Sequence, residues 1–366
     1  MIEIRKIWHY LTRYVDSFLL AGILILMSIG LIVLYSATGG NVTRVSNQAV
    51  NILVALVIMW LIANIPLQQI LRLAFPMYML GLILLIGVAL FGEINNGARR
   101  WLNIGVTRIQ PSELMKIAIP LMMAWYFDKY EIALRLRDYL GATILLLLPV
   151  LLILRQPDLG TALLIAASGF YVLFLAGLSW RIIVGLVTAA AASLPILWSV
   201  MHDYQRQRIM TLFDPTQDPL GAGYHTIQSS IAIGSGGVVG KGWQNGTQTQ
   251  LDFLPEQSTD FIFAVFSEEF GLIGNTVLLL LYLLVIGRCI AITANASTQF
   301  TRLISGSITL TFCTYIFVNI GMVSGILPIV GVPLPLISYG GTSMVTMLLG
   351  FGILMSIQTH PKLIKT

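Results

Sequence analysis

Carboxylates stand in this chain where an apolar sequence should not carry them. Residues 251–275 read LDFLPEQSTDFIFAVFSEEFGLIGN and place Asp260, Glu268 and Glu269 at the entrance to, and inside, a hydrophobic run. Ionised side chains within a membrane segment cost about 2.5 to 3.5 kcal/mol each on insertion scales, so they mark a task. Asp260 follows Ser258, a good helix N-cap, and an aspartate in a first helical turn is held ionised by the helix dipole. That suits a general base at the water boundary, and it equally suits a structural helix start. Glu256, four residues earlier, would share a helix face with Asp260 and raise one pKa of the pair. Glu268 and Glu269 fall about 12 to 13 Å further along such a helix. They are too distant to act with Asp260 as a paired-carboxylate site, and they read as structural hydrogen-bonding groups.

Further polar groups recur at the ends of apolar runs. Glu113 and Lys116 follow Pro111 and Ser112 three residues apart on one helix face, which predicts mutual neutralisation, as an ion pair or as the wall of a polar cavity. Asp158, in LRQPDLGTALL with Arg155 three residues before it, is a similar case or simply caps the next helix. The stretch GEINNGARRWLNIGVTRIQ at 92–110 sets Arg99, Arg100 and Arg108 around Trp101. Arginine forks onto phosphate and Trp favours the membrane interface, which fits a bound lipid headgroup or bulk anionic lipid. The run GSGGVVGKG at 234–242 is not a phosphate-binding loop, because Ser235 and Gly242 stand where Gly and Ser or Thr are needed. GVPLPLISYGGTS at 331–343 reads as a broken or re-entrant start to the last apolar run. The two cysteines predict no disulfide, and neither they nor the four histidines have metal-ligand spacing.

The elements that position these groups follow from composition. The chain is 57% hydrophobic and 10% charged, with a mean hydropathy of +0.85, against about 25% charged residues in an average soluble domain. This predicts an all-α integral membrane protein, one polytopic domain over 1–366. Runs long enough to cross about 30 Å of hydrocarbon fall at 17–37, 48–65, 70–91, 111–127, 139–154, 159–178, 182–200, 259–286, 303–327 and 333–357, which predicts ten transmembrane helices. With both termini cytoplasmic, twelve Lys/Arg fall on inner segments and eight on outer ones, Lys116 lying within a span. The 99–108 arginines are the main violation of that bias and suggest an outer anionic ligand. The large extracytoplasmic loop between helices 7 and 8, 201–258, interleaves apolar residues such as Ile209, Leu212, Ile227 and Ile231 with polar ones. It is expected to be ordered, with short amphipathic helices on the membrane. The first helix reads as uncleaved. There is no internal duplication of the transporter kind, and the spread of basic residues offers no nucleic-acid surface.

Four blocks together resemble the SEDS family (shape, elongation, division and sporulation): GARRWLNIGVTRIQPSELMK at 97–116, RQPDLGTALL at 155–164, GWQNGTQTQLDFLPEQSTDFIFAVFSEEFG at 242–271 and GVPLPLISYGGTS at 331–343. The third is the most specific and, with the short termini, favours the elongation branch over the division branch. The resemblance implies a multi-pass protein of the bacterial cytoplasmic (inner) membrane. It further implies a peptidoglycan glycosyltransferase that polymerises lipid II into lipid-linked glycan strands on the periplasmic face, beside a class B penicillin-binding protein. It assigns the essential loop aspartate to Asp260 and a polar-cavity pair to Glu113 and Lys116. Arg100 and Asp158 also fall on motif positions.

On that resemblance, Asp260 would take the proton from the acceptor hydroxyl as it displaces undecaprenyl pyrophosphate with inversion. General-base help of this kind is worth roughly 10² to 10⁴ in rate. The leaving group needs cations, for which Arg99, Arg100, Arg206, Arg208 and Lys241 are the outer-face candidates, with a divalent cation as a further expectation. Two rival readings stand beside this one. A lipid II flippase would move substrate without forming polymer, and a scaffold for the penicillin-binding protein would need no ionised intramembrane groups.

Overall fold

The structure is a computed structural model that describes residues 13–95, 98–103, 108–129, 135–156, 158–201, 206, 210–212, 214–217, 222–251, 253–254 and 256–360. Mostly helical, it runs through α1 (Ser17–Ala37), α2 (Val42–Ala63), α3 (Leu67–Phe91), α4 (Pro111–Lys129), α5 (Leu136–Leu154), α6 (Leu159–Leu175), α7 (Trp180–Val200), α8 (Ala222–Gly236), α9 (Ile262–Ala294), α10 (Gln299–Val323) and α11 (Gly341–Thr359). Seven of the described helices, α1, α2, α3, α5, α9, α10 and α11, are long and apolar enough to cross a bilayer. The apolar parts of α6 and α7 are shorter, Leu159–Leu175 and Trp180–Pro195, and α4 carries the Glu113 and Lys116 charges. The strands among the described residues form a small antiparallel ribbon of β1 (Glu93–Asn95), β2 (Ala98–Asn103) and β3 (Arg108–Ile109), in the order β1-β2-β3. It occupies the arginine-bearing connection, where β2 lies against α3 and α4.

Helix starts follow local chemistry. Asp16 caps α1 by accepting from Leu19 N at 2.9 Å, and it also receives the Arg288 guanidinium of α9, tying two distant elements at one end of the bundle. Asn41 and Thr298 cap α2 and α10 with their own side chains. Glycines allow the closest approaches: a Cβ on Gly352 of α11 would collide with Met59 O and Ile62 of α2. In contrast, α7 has no buried residue among those described and stands at the edge of the bundle.

The last apolar run has the broken start that its prolines and glycines predict and does not become helical at 333. Residues 329–340 form an irregular segment, and α11 starts only at Gly341. The prolines at 328, 333 and 335 remove backbone donors and disfavour helix in the residues before them. The loop after α7 does contain a helix, α8, and that helix packs against α9 and α10.

Candidate functional site

The site is built from α9, and α9 is not continuous. Gly271 takes φ +62 inside it, a conformation that favours glycine because a Cβ there meets the following carbonyl. The break orphans two backbone donors and two acceptors in an apolar setting, and such groups must find partners. The glycine-rich run supplies all four. Lys241 N and Gly242 N donate to Glu268 O and Glu269 O at 3.0 and 2.9 Å, while Leu272 N and Ile273 N donate to Gly237 O and Val238 O at 3.0 and 3.1 Å. Gly236 and Gly240 fit only without side chains, since Cβ atoms there would overlap Ser267 O and Glu269 O.

The carboxylates at the break are held in the same region, Glu268 through both oxygens and Glu269 through Oε1. Glu268, fully buried, pairs with Lys241 Nζ at 2.8 Å and accepts from Thr247 Oγ1, Gln248 N, Thr249 Oγ1 and Ser235 Oγ. Glu269 accepts from Ser36 of α1 and from Gln244 N. The indole of Trp243 then donates to Ile32 O at 3.2 Å and stacks on Tyr35. Residues 241–250 are thereby fastened to α9 and α1, the structural role expected of both glutamates.

Asp260 sits in a different environment. It lies in a turn closed by Thr259 N and Phe261 N donating to Glu256 O at 3.0 and 3.3 Å. The helix begins only at Ile262, with Phe261 as its N-cap position and no side-chain cap. Ser258 therefore does not cap α9; its carbonyl instead accepts from Tyr339 N at 2.9 Å. The expectation that a helix dipole holds Asp260 ionised fails with it. Burial, and secondarily the charge of Glu256, push the Asp260 carboxyl up to about 6 from 3.8. Among the described residues no group donates a hydrogen bond to that carboxylate.

What holds the turn is the irregular segment before α11. Ser338 Oγ donates to Thr259 O at 2.6 Å and accepts from Leu334 N at 2.7 Å. The buried Gln48 of α2 donates to Ser338 O and accepts from Gly340 N, both at 3.2 Å, and Tyr282 OH donates to Pro335 O at 2.7 Å. Asn319 of α10 donates to both Asp260 O and Val332 O, at 2.8 and 2.7 Å. Gly331, at φ +72, faces the carboxylate: a Cβ there would lie 3.5 Å from Asp260 Oδ2.

The second polar station lies one turn along α10. Tyr315, four residues before Asn319, packs with Val332 and Leu164, and Lys116 Nζ lies 5.2 Å from the centre of its ring. Lys116 pairs with Glu113 at 2.6 Å, both largely buried. Glu113 lines a cavity of about 430 Å³ with Asn51, Gln110 and Thr342 among its walls, and an adjoining cleft reaches Lys116 and Tyr315. Asp158 caps α6 by accepting from Thr161 N at 3.3 Å. Two residues on, Gly160 packs against Val330 O so closely that a Cβ would lie 2.5 Å from it. Asp260, Asp158 and the Glu113–Lys116 pair are thus gathered around one segment, 330–332, and one helix, α10.

The basic candidates separate. Lys241 is committed to Glu268 and Thr247. Arg206 donates to Trp198 O and Ser199 O, both at 2.9 Å, closing the last turn of α7. Arg99 and Arg100 lie on β2, pairing across the ribbon through Ile94↔Arg99. Arg208 lies outside the described residues. Among the described residues no three His, Cys, Asp or Glu side chains converge. Sequence reasoning missed Asn319, Gln48 and Ser338; a buried amide or hydroxyl in an apolar run gives no signal until its backbone partner is known.

The family model for the FtsW/RodA/SpoVE cell cycle proteins matches residues 9–363. The chain is 51% identical over 352 residues to the peptidoglycan glycosyltransferase MrdB of Escherichia coli K12, covering 96% of this chain and 95% of that protein. It is 38% identical to the MrdB of Helicobacter pylori J99, covering 84% and 81%. Among solved structures it is similar to one described as "Structural coordination of polymerization and crosslinking by a peptidoglycan synthase complex", with TM-score 0.82, 33% identity and coverage of 94% and 97%. It is also similar to the rod shape determining protein RodA of Thermus thermophilus, with TM-score 0.71, 29% identity and coverage of 94% and 96%.

Proposed function

This chain belongs to the FtsW/RodA/SpoVE family of cell cycle proteins, and on that premise we infer that it is a peptidoglycan glycosyltransferase that polymerises lipid II during cell elongation. Asp260 is its general base. The observation that carries this role is the treatment of that carboxylate: backbone and neighbours fix the turn, yet no donor among the described residues neutralises the side chain, and burial lifts it to about 6. A carboxylate so tuned is ionised at neutral pH and basic enough to take a hydroxyl proton as the oxygen attacks. The hydroxyl of the acceptor sugar loses its proton to Asp260, its oxygen bonds to the anomeric carbon of the donor, and the bond to undecaprenyl pyrophosphate breaks with inversion.

The departing pyrophosphate needs positive charge. With Lys241 and Arg206 engaged internally, Arg99 and Arg100 of the ribbon are the best-supported candidates, and the Glu113–Lys116 pair forms the polar wall of the cavity below. No step is assigned to a metal ion. The chain is a multi-pass membrane protein. We assign it ten crossings, with cytoplasmic termini and Asp260 on the periplasmic face of the inner membrane. A class B penicillin-binding protein is the fitting partner, since a structural neighbour belongs to a complex that coordinates polymerisation with crosslinking.

The test is to incubate the purified chain, alone and with its cognate transpeptidase, with labelled lipid II and to resolve the products by size. The wild type should give a ladder of glycan strands. Asp260→Asn should lose about 10² to 10⁴ in rate while keeping its fold and partner binding. An Asp260→Asn chain that still polymerises would sink the assignment, and translocation of lipid II without polymer would point to a flippase instead.

A further inference from the structure

A second cavity adjoins the Asp260 turn from the side of the large loop. It measures about 200 Å³ and is walled by Thr211, His225, Thr226, Leu327, Pro328 and Ile329, several times the ~30 Å³ share of a water molecule in the liquid. Both of its sides run directly into the reaction centre. The His225 imidazole stacks on Phe261, with ring centres 5.6 Å apart and planes at 19°, and Phe261 is the residue after Asp260. On the opposite wall, Ile329 continues through Val330 into Gly331, the residue that faces Asp260 Oδ2.

His225 Nδ1 is buried and has no hydrogen-bond partner among the described residues, although a buried polar nitrogen is normally satisfied. The described walls combine this imidazole and two threonine hydroxyls with four apolar side chains, Leu212 among them, and they contain no cation. Burial holds the His225 pKa below its ordinary value, with Glu256 opposing, so the ring is neutral at pH 7 and ill suited to a pyrophosphate. Hydroxyl and imidazole groups on one side and aliphatic groups on the other match a sugar ring, which is polar at its rim and apolar on its C–H face.

We propose that this cavity binds a neutral saccharide unit of the lipid-linked substrate, with the His225 imidazole and the threonine hydroxyls of its wall as the polar contacts. The assignment rests on the glycosyltransferase reading above. It makes the stack of His225 on Phe261 the link that sets a bound sugar against the Asp260 carboxylate.

His225→Phe keeps an aromatic ring against Phe261 and removes the nitrogens, and His225→Gln restores a hydrogen-bonding group without the ring. Steady-state polymerisation by the full chain with its transpeptidase, using labelled lipid II, should show KM for His225→Phe raised about tenfold with kcat within about twofold. His225→Gln should return KM to within about threefold of wild type. Thr226→Val, a nearly isosteric change on the same wall, should raise KM about threefold, and it carries the test if His225→Phe does not fold. Unchanged kinetics in His225→Phe and Thr226→Val would overturn the site. So would a kcat loss at constant KM that His225→Gln does not relieve, since that is the mark of packing against Phe261. A wild-type chain that makes no polymer would refute the reaction itself, a result distinct from active enzyme indifferent to His225.

Discussion

Glu268 and Asp260 lie eight residues apart, yet Glu268 receives a lysine, three hydroxyls and a backbone N–H while no described group donates to the Asp260 carboxylate. The same contrast holds for the backbone. At Gly271 the fold breaks a helix and repairs all four orphaned groups with the glycine run; at Asp260 it pins the carbonyls of residues 258, 259 and 260 and leaves the side chain alone. A carboxylate saturated with donors is a poor base, because every donor stabilises the ionised form. One held rigidly but left electrostatically exposed to its own burial remains reactive. The fold thus spends its hydrogen bonds on placing Asp260 and withholds them from the atoms that react.

Removing the charge at the saturated station should give the largest effect on stability. Glu268→Gln breaks a pair whose carboxylate is fully buried and should lower unfolding stability by about 3 kcal/mol, measured by thermal unfolding in detergent. Unchanged stability would mean that the latch is not a structural anchor. Asn319→Ala should follow, costing about 2 kcal/mol for two lost bonds to buried carbonyls. Its kcat should fall by about tenfold or more as the Asp260 turn loses its register; a stability loss with full activity in the folded fraction would show that the turn is held without it.

Asp260→Asn should move stability the opposite way. A carboxyl whose folded pKa is raised adds stability below its unfolded value, near 4, and that stability is lost as the pH rises through about 6. At pH 7 the ionised, partly buried Asp260 is therefore expected to destabilise the fold. Its amide replacement should gain on the order of 1 kcal/mol, with solvent screening discounted. Opposite signs for Asp260→Asn and Glu268→Gln would sharpen the contrast; equal signs would break it.

Much of this was legible in the sequence. The helices fall close to the apolar runs, because burial in hydrocarbon leaves little choice of register or class. The Glu113–Lys116 pair follows from three-residue spacing, and the structural role of Glu268 and Glu269 from their distance along the helix. The environment of Asp260 was not legible. Ser258 has the chemistry of a cap, but the segment before α11 captures its carbonyl, and that segment lies some eighty residues away in sequence. The glycine run at 234–242 shows in the sequence only what it is not; its purpose depends on a break at Gly271 that no local pattern announces. Lys241 read as an outer cation because its partner, Glu268, is 27 residues distant.

The smallest effect concerns Glu256, the second cause of the raised Asp260 carboxyl after burial. The active base is ionised, so polymerisation should rise with pH to a midpoint near 6 and level off above it. Glu256→Gln removes a like charge, favours the ionised form, and should move the midpoint down, though not as far as 3.8, because burial is the larger cause and remains. At pH 7 the base is already about nine-tenths ionised, so the variant and the wild type should differ little there. Near pH 5, where the wild type is mostly protonated, Glu256→Gln should retain a larger share of its own plateau rate. A midpoint unmoved by Glu256→Gln would leave burial as the sole cause. A midpoint moved upward would mean that Glu256 supports the ionised form through the turn it closes with Thr259, and Asp260 would then resemble the supported carboxylate of Glu268 more than the contrast allows.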